Sequence, residues 1–235
     1  MKKRAALHNL GCKVNAYETE AMRQLLEEDG YEIVPFEPGA DVYVINTCTV
    51  TNIADRKSRQ MLHKARKMNP DAIVVAAGCY VETADGGVEK DPAIDIILGN
   101  NQKNQLVSVI RDFEQKRAGK RAEEPSGVMT KKIDINHTKE YENLIIDRTE
   151  NRTRADIKVQ DGCNQFCTYC IIPFARGRVR SRDTQDVLQE VRALAASGCQ
   201  EIVLTGIHLS SYGVDLGEGM DLTALIEAVH EVDGI

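Results

Sequence analysis

Three cysteines in the order Cys163-x-x-x-Cys167-x-x-Cys170 can hold three irons of a four-iron cluster and leave the fourth iron without a protein ligand. An open iron is a reaction site. The run Asp156-Ile-Lys-Val-Gln160 before them reads as a strand and Ile171-Ile-Pro-Phe174 follows, so the thiols sit on a loop leaving that strand. A closed zinc site of three Cys and a distant His is the alternative, but its usual signature needs a second Cys or His pair, which the sequence lacks. Disulfides fit less well. Seven Cys is an odd count, no apolar N-terminal stretch reads as a signal peptide, and nothing approaches a membrane span. The expectation is a reducing compartment, the cytoplasm, and no membrane partner.

These thiols need elements to place them, and the first half supplies a periodic pattern. Apolar runs alternate with amphipathic helices, as in a parallel sheet flanked by helices. Strands are predicted at 5–10, 41–45, 72–77 and 94–98, giving four βα-like units within the first 115 residues. The first helix is marked by Asn15 and Glu18, three apart like a capping box, with Ala21, Met22, Leu25 and Leu26 as its buried stripe. Cys12, Cys48 and Cys79 each fall just after a predicted strand. In an open α/β sheet those ends share the edge where ligands bind, so three residues distant in sequence converge. Gly11, Thr47 and Gly78 beside them permit close backbone approach, as a bulky inorganic cluster requires. A lone Cys is usually a small buried hydrophobe, the reading kept for Cys199.

Composition frames a soluble globular chain: 235 residues, 42% hydrophobic, 28% charged and 5% aromatic. The net charge of −6 argues against a generally basic nucleic-acid binder. It is unevenly spread, however: −3 over residues 1–115, +6 over 116–182 and −9 over 183–235. The positive charge surrounds the cysteine loop, where it suits an anionic substrate or simply belongs to a solvated linker. Arg176, Arg178, Arg180 and Arg182 alternate after that loop and would point one way in an extended segment, useful near a cofactor carboxylate or an RNA backbone. Residues 55–68 carry six cations and one acid on a helix beginning beside Cys48, either a solvated face or a surface for phosphates.

The residues resemble a known family. Cys163, Cys167 and Cys170 have the spacing of radical S-adenosylmethionine enzymes, in which the residue before the third Cys, here Tyr169, is aromatic and lies against the cofactor adenine. Leu10-Gly-Cys-Lys-Val-Asn15, Val44-Ile-Asn-Thr-Cys-Thr-Val50, Ala77-Gly-Cys-Tyr80 and residues 154–173 look like the methylthiotransferases of that superfamily. The resemblance implies a second four-iron cluster on Cys12, Cys48 and Cys79, and S-adenosylmethionine bound near Tyr169; Gly206, at a strand end, and Arg180, among the alternating arginines, are the further candidate cofactor contacts. One cluster would make the radical and the other would handle the inserted sulfur. The target would be a C–H bond too strong and non-acidic for acid–base removal, so no protein general base is assigned.

Leu204-Thr-Gly-Ile-His-Leu-Ser-Ser-Tyr-Gly213 most resembles the branch acting on N6-threonylcarbamoyladenosine 37 of tRNA. Other branches take isopentenyladenosine 37 or an aspartate of a ribosomal protein. A low-potential donor such as flavodoxin or ferredoxin is the implied electron partner. Residues 201–205 read as a strand, in the implied barrel one whose end at Gly206 could bring its backbone to the cofactor, and His208 reads as a locally hydrogen-bonded polar side chain.

The expected organisation is a Rossmann-like open parallel-sheet domain at 1–116, a linker and lead-in at 117–150, and the first βα units of a radical S-adenosylmethionine partial barrel at 151–235. Residues 116–132 lack apolar periodicity. Only two βα units fit after residue 154, whereas a full barrel takes about 250 residues. The expectation is therefore a barrel that stops short, without turnover by this chain alone. Two other classes stay open: a zinc- or cluster-binding structural module, and a radical enzyme of another reaction type.

Overall fold

The computed structural model describes residues 2–84, 86–119, 127–148 and 153–235. Its larger sheet has six strands, all parallel: β1 (Arg4–Asn9), β2 (Glu32–Ile33), β3 (Val42–Thr47), β4 (Ile73–Gly78), β5 (Ile96–Leu98) and β6 (Met129–Lys131), in the spatial order β2-β1-β3-β4-β5-β6. β3 and β4 read VYVINT and IVVAAG and are buried at every position, as strands covered on both faces must be. Helices α1 (Lys13–Glu28), α2 (Asn52–Met68), α3 (Cys79–Thr83) and α4 (Leu106–Gly119) connect them. Thr51 caps α2, its side chain accepting from the Ala54 amide at 3.1 Å.

Strand order reverses between β1 and β3, the topological switch point of a flavodoxin-like sheet, where the crevice beyond the strand ends takes ligands. The four predicted strands are present, and two more flank them. β6 corrects the linker expectation, because residues 129–131 complete the sheet beside β5. The lead-in is also packed: Leu144 and Ile146 are buried, and the Tyr141 hydroxyl donates to the Lys158 carbonyl at 2.8 Å. Residues 117–119 finish helix Leu106–Gly119 rather than starting a linker, and 120–126 and 149–150 lie outside the described residues.

In the second half, β7 (Arg154–Lys158) pairs in parallel with β10 (Glu201–Thr205), and β8 (Gln160–Asp161) pairs antiparallel with β9 (Arg180–Ser181). α5 (Ile172–Arg176), α6 (Thr184–Ala196) and α7 (Leu222–His230) complete it. β7-α6-β10-α7 is two βα units of a barrel wall, as expected.

α1 is shared between the two halves. Met22 and Leu26 pack on the large sheet with Val44, Val75 and Phe113, while Tyr17 and Ala21 join Ile157, Val187 and Leu194 of the second half. The predicted stripe is therefore two stripes. The capping-box reading of Asn15 and Glu18 is overturned as well. Cys12 occupies the cap position without a side-chain capping bond, and Asn15 and Glu18 are buried at 1% and 0% exposure, facing the second half.

Candidate functional site

Cys12, Cys48 and Cys79 follow the last residues of β1, β3 and β4, three adjacent strands, at one edge of the sheet. Cys12 and Cys48 flank the switch point. The close approach there is specific: Gly11 has φ +117°, and a Cβ on it would stand 3.2 Å from the Cys48 Sγ. Asn15 ties the turns together, its Nδ2 donating to the Leu10 carbonyl at 2.8 Å and the Thr47 carbonyl at 2.9 Å. Cys79 is buried and lies 3.7 Å from Asn100 Nδ2. Burial pushes its thiol up, against the opposing charges of Arg176 and Lys103.

Cys163, Cys167 and Cys170 occupy the loop that leaves β8 and enters α5. Its neck is closed by the Cys163 amide donating to the Gly177 carbonyl at 3.0 Å. Two glycines make that crossing possible. A Cβ on Gly162 (φ +71°) would lie 1.9 Å from the Arg178 carbonyl oxygen, and one on Gly177 (φ +72°) 2.0 Å from that of Ile135. Within the loop Phe166 takes φ 46°, its ring edge-to-face with Phe174 and under the Arg178 guanidinium at 4.1 Å. Tyr169 is 91% exposed, an aromatic face open to a partner.

The arginines after the loop do not share a face. Arg176 ends a helix, Arg178 is exposed on Phe166, and Arg180 and Arg182 are turned inward. Arg180 donates to the Arg176 and Arg178 carbonyls and lies 3.9 Å from Asp161. Arg182 pairs with Glu190, which also accepts from the Tyr17 hydroxyl at 3.0 Å. The extended expectation holds only for Arg180 and Arg182, at β9 and just after it, both turned inward; Arg176 lies on α5, and the bend at Gly177 sends Arg178 outward.

Gly206 is required by packing: a Cβ there would meet Gln160 at 2.9 Å. The Gln160 Oε1 accepts from the His208 amide at 2.7 Å, and the His208 ring bonds Ser211 at 2.6 Å, the local role expected of it.

Beneath both cysteine sets lies an ionic cluster invisible to motif reading. Glu18 is fully buried and contacts Arg176 at 2.9 Å, Lys158 at 3.0 Å and Lys103 at 3.2 Å. Asp161 takes Lys158 at 3.2 Å and Arg176 at 3.1 Å. Burial alone would raise the Glu18 carboxyl; Arg176, Lys103 and Lys158 override it and hold it well below the usual carboxylate range. Partners lie up to 158 positions apart, so no local pattern announces them.

The donor set suits thiolate-held iron. All six cysteines are free, with no disulfide among them. Among the described residues, no three His, Cys, Asp or Glu side chains converge on a single-ion position.

A flavodoxin-like sheet edge bearing three cysteines, joined to barrel units whose first loop bears three more, defines a radical S-adenosylmethionine architecture. Residues 157–232 match the Radical SAM superfamily, and residues 4–99 match the family described as Uncharacterized protein family UPF0004. The threonylcarbamoyladenosine tRNA methylthiotransferase MtaB of Bacillus subtilis is 44% identical over 98% of this chain and 49% of its own length. The Aquifex aeolicus protein of the same name is 39% identical over 99% of this chain and 54% of its own. A tRNA-2-methylthio-N(6)-dimethylallyladenosine synthase of Clostridium perfringens is 32% identical over 100% and 51%. Over nearly its whole length the chain is similar to tRNA methylthiotransferases, and its second matched stretch is similar to the radical S-adenosylmethionine superfamily. The chain spans about half the length of these relatives. Among solved structures, the radical S-adenosylmethionine methyltransferase TsrM of Kitasatospora setae has the same fold, with TM-score 0.58 and 17% identity over 97% of this chain and 50% of that one.

Proposed function

We propose that this protein is a tRNA methylthiotransferase that inserts a methylthio group at C2 of N6-threonylcarbamoyladenosine 37, using S-adenosylmethionine and two four-iron clusters. The observation that carries the reading is the pair of cysteine sets: Cys12, Cys48 and Cys79 on adjacent strand ends, and Cys163, Cys167 and Cys170 on the loop after β8. When bound, the clusters and S-adenosylmethionine supply a carbon radical able to abstract an unactivated hydrogen, and the sulfur that replaces it.

The chain's own residues do the placing. The glycine neck fixes the ends of the 163–177 loop, Tyr169 offers its ring to the cofactor adenine, and Gly206 keeps the end of β10 open beside Gln160. For the substrate, the Gly206-Ile-His208 stretch and the higher identity to the Bacillus subtilis and Aquifex aeolicus threonylcarbamoyladenosine enzymes, 44% and 39% against 32% for the dimethylallyladenosine enzyme, favour the first class. Position 37 and an electron donor of the flavodoxin or ferredoxin type come from the family resemblance alone. No helix among the described residues is long and apolar enough to cross a membrane.

Mass spectrometry of tRNA nucleosides from a strain lacking the gene tests the substrate. Loss of the 2-methylthio derivative of N6-threonylcarbamoyladenosine is expected; an unchanged nucleoside profile would overturn the assignment. Iron and sulfide analysis of anaerobically prepared protein tests the sites, with about eight irons per chain expected. Replacing Cys12, Cys48 and Cys79 together with Ser should remove about half of that iron. Loss of all of it, or of none, would refute two separate sites.

A further inference from the structure

We propose that Arg176 is a positioning residue that fixes the two cysteine sites relative to each other, an inference that rests on the two-site reading above. Arg176 is the last residue of α5, six positions beyond Cys170, and is fully buried. Its guanidinium touches a hub on each side. Toward the barrel units, Nη1 donates to both Asp161 oxygens at 3.1 Å, and the Asp161 Oδ1 accepts the Gly162 amide at 2.8 Å, at the neck of the cysteine loop. Toward the large sheet, Nη2 donates to the Asn15 Oδ1 at 2.6 Å. The Asn15 Nδ2 in turn holds the carbonyls of Leu10 and Thr47, two residues before Cys12 and one before Cys48.

The third cysteine is reached from the neighbouring residue. The Ala175 carbonyl accepts from Asn100 Nδ2 at 2.7 Å, and that same nitrogen faces the Cys79 Sγ. Lys103 holds the Asn100 Oδ1 at 2.6 Å and pairs with Glu18, which also grips Arg176. One short helix end thus connects, through Asn15 and Asn100, to all three strand-end cysteines, and through Asp161 to the loop of the other three. A planar fork with fixed donor directions transmits orientation where a lysine would supply only a point charge. A reaction at a carbon between two sites depends on their spacing, since misplacement by about 1 Å can cost roughly 100-fold in rate. Rigid coupling of the sites is what this network provides.

Hydrogen exchange on the metal-free full chain tests it without reference to turnover. In Arg176→Gln the amides of 162–177 and those of the turns at 10–13 and 47–50 should exchange together, roughly tenfold or more faster, as expected for a lost charge-assisted bond. Arg176→Lys should leave the turns on the Asn15 side similarly loosened. Acceleration confined to 162–177, or full protection in the lysine variant, would overturn the proposal. Asn100→Ala lies outside the main ionic cluster and serves if the Arg176 variants do not fold. It should change the magnetic coupling between the two reduced clusters in electron paramagnetic resonance while iron content stays at the wild-type value, and unchanged coupling would overturn the proposal. Wild-type protein with a single cluster would instead defeat the two-site reading, and the proposal with it.

Discussion

At the scale of residues, Glu18 shows how much a single buried carboxylate can carry. Three cations surround it without access to water, and removing one partner of such a set costs about 3–5 kcal/mol. Glu18→Gln should therefore lower the urea midpoint markedly at pH 7. The pH dependence has a definite sign. A carboxyl depressed in the folded state stabilises fully above its unfolded value, near 4.5, and loses that contribution as pH falls toward the folded value. Below pH 4.5 the native chain should lose stability more steeply than Glu18→Gln; parallel curves would exclude Glu18 as the source. Glu190, raised by burial, acts in the opposite direction in both proteins; Glu142 and Asp161 lie in the field of Glu18, so the difference reports Glu18 together with their response to its charge. Gly162→Ala makes a second residue-scale case. Its methyl group would overlap a backbone oxygen, which no rotamer change relieves, and the variant should be insoluble or lose cooperative melting by circular dichroism.

At the scale of elements, α2 presents Arg56, Lys57, Lys64 and Lys67 exposed and without ion-pair partners among the described residues, while Arg66 is tied to Asp95. On a helix that starts four residues beyond Cys48, this face suits the phosphates of an RNA reaching the sheet edge. Replacing Lys57, Lys64 and Lys67 with Ala should reduce the salt dependence of the proposed tRNA binding by a slope of roughly 2. An unchanged slope would leave the face as a solvated surface. The central strands were legible because strands covered on both faces read as unbroken apolar runs, and their ends located Cys12, Cys48 and Cys79. β2 and β6 were not legible, since two or three residues with exposed polar side chains at a sheet edge carry no periodic signal. Asn15 and Glu18 were misread for a related reason. Their spacing imitates a helix cap, and the partners that bury them are contributed by distant segments.

At the scale of the whole molecule, the shared helix α1 makes the two halves mutually dependent. Calorimetry of the intact chain should show one unfolding transition, because separating the halves would expose Tyr17, Ala21 and the charged cluster together. Two resolved transitions would show that each half is stable alone. The stretches 4–99 and 157–232 match separate family models, yet α1 lies wholly within the first and supplies part of the second one's core. The same helix sets a rule for recombining these proteins. A chimera joined in the stretch between the matched segments would bring a helix fitted to one barrel against the core of another. Exchange between relatives should succeed only when the outward face of α1, Tyr17 and Ala21 above all, is transplanted with the barrel rather than with the sheet that encodes it.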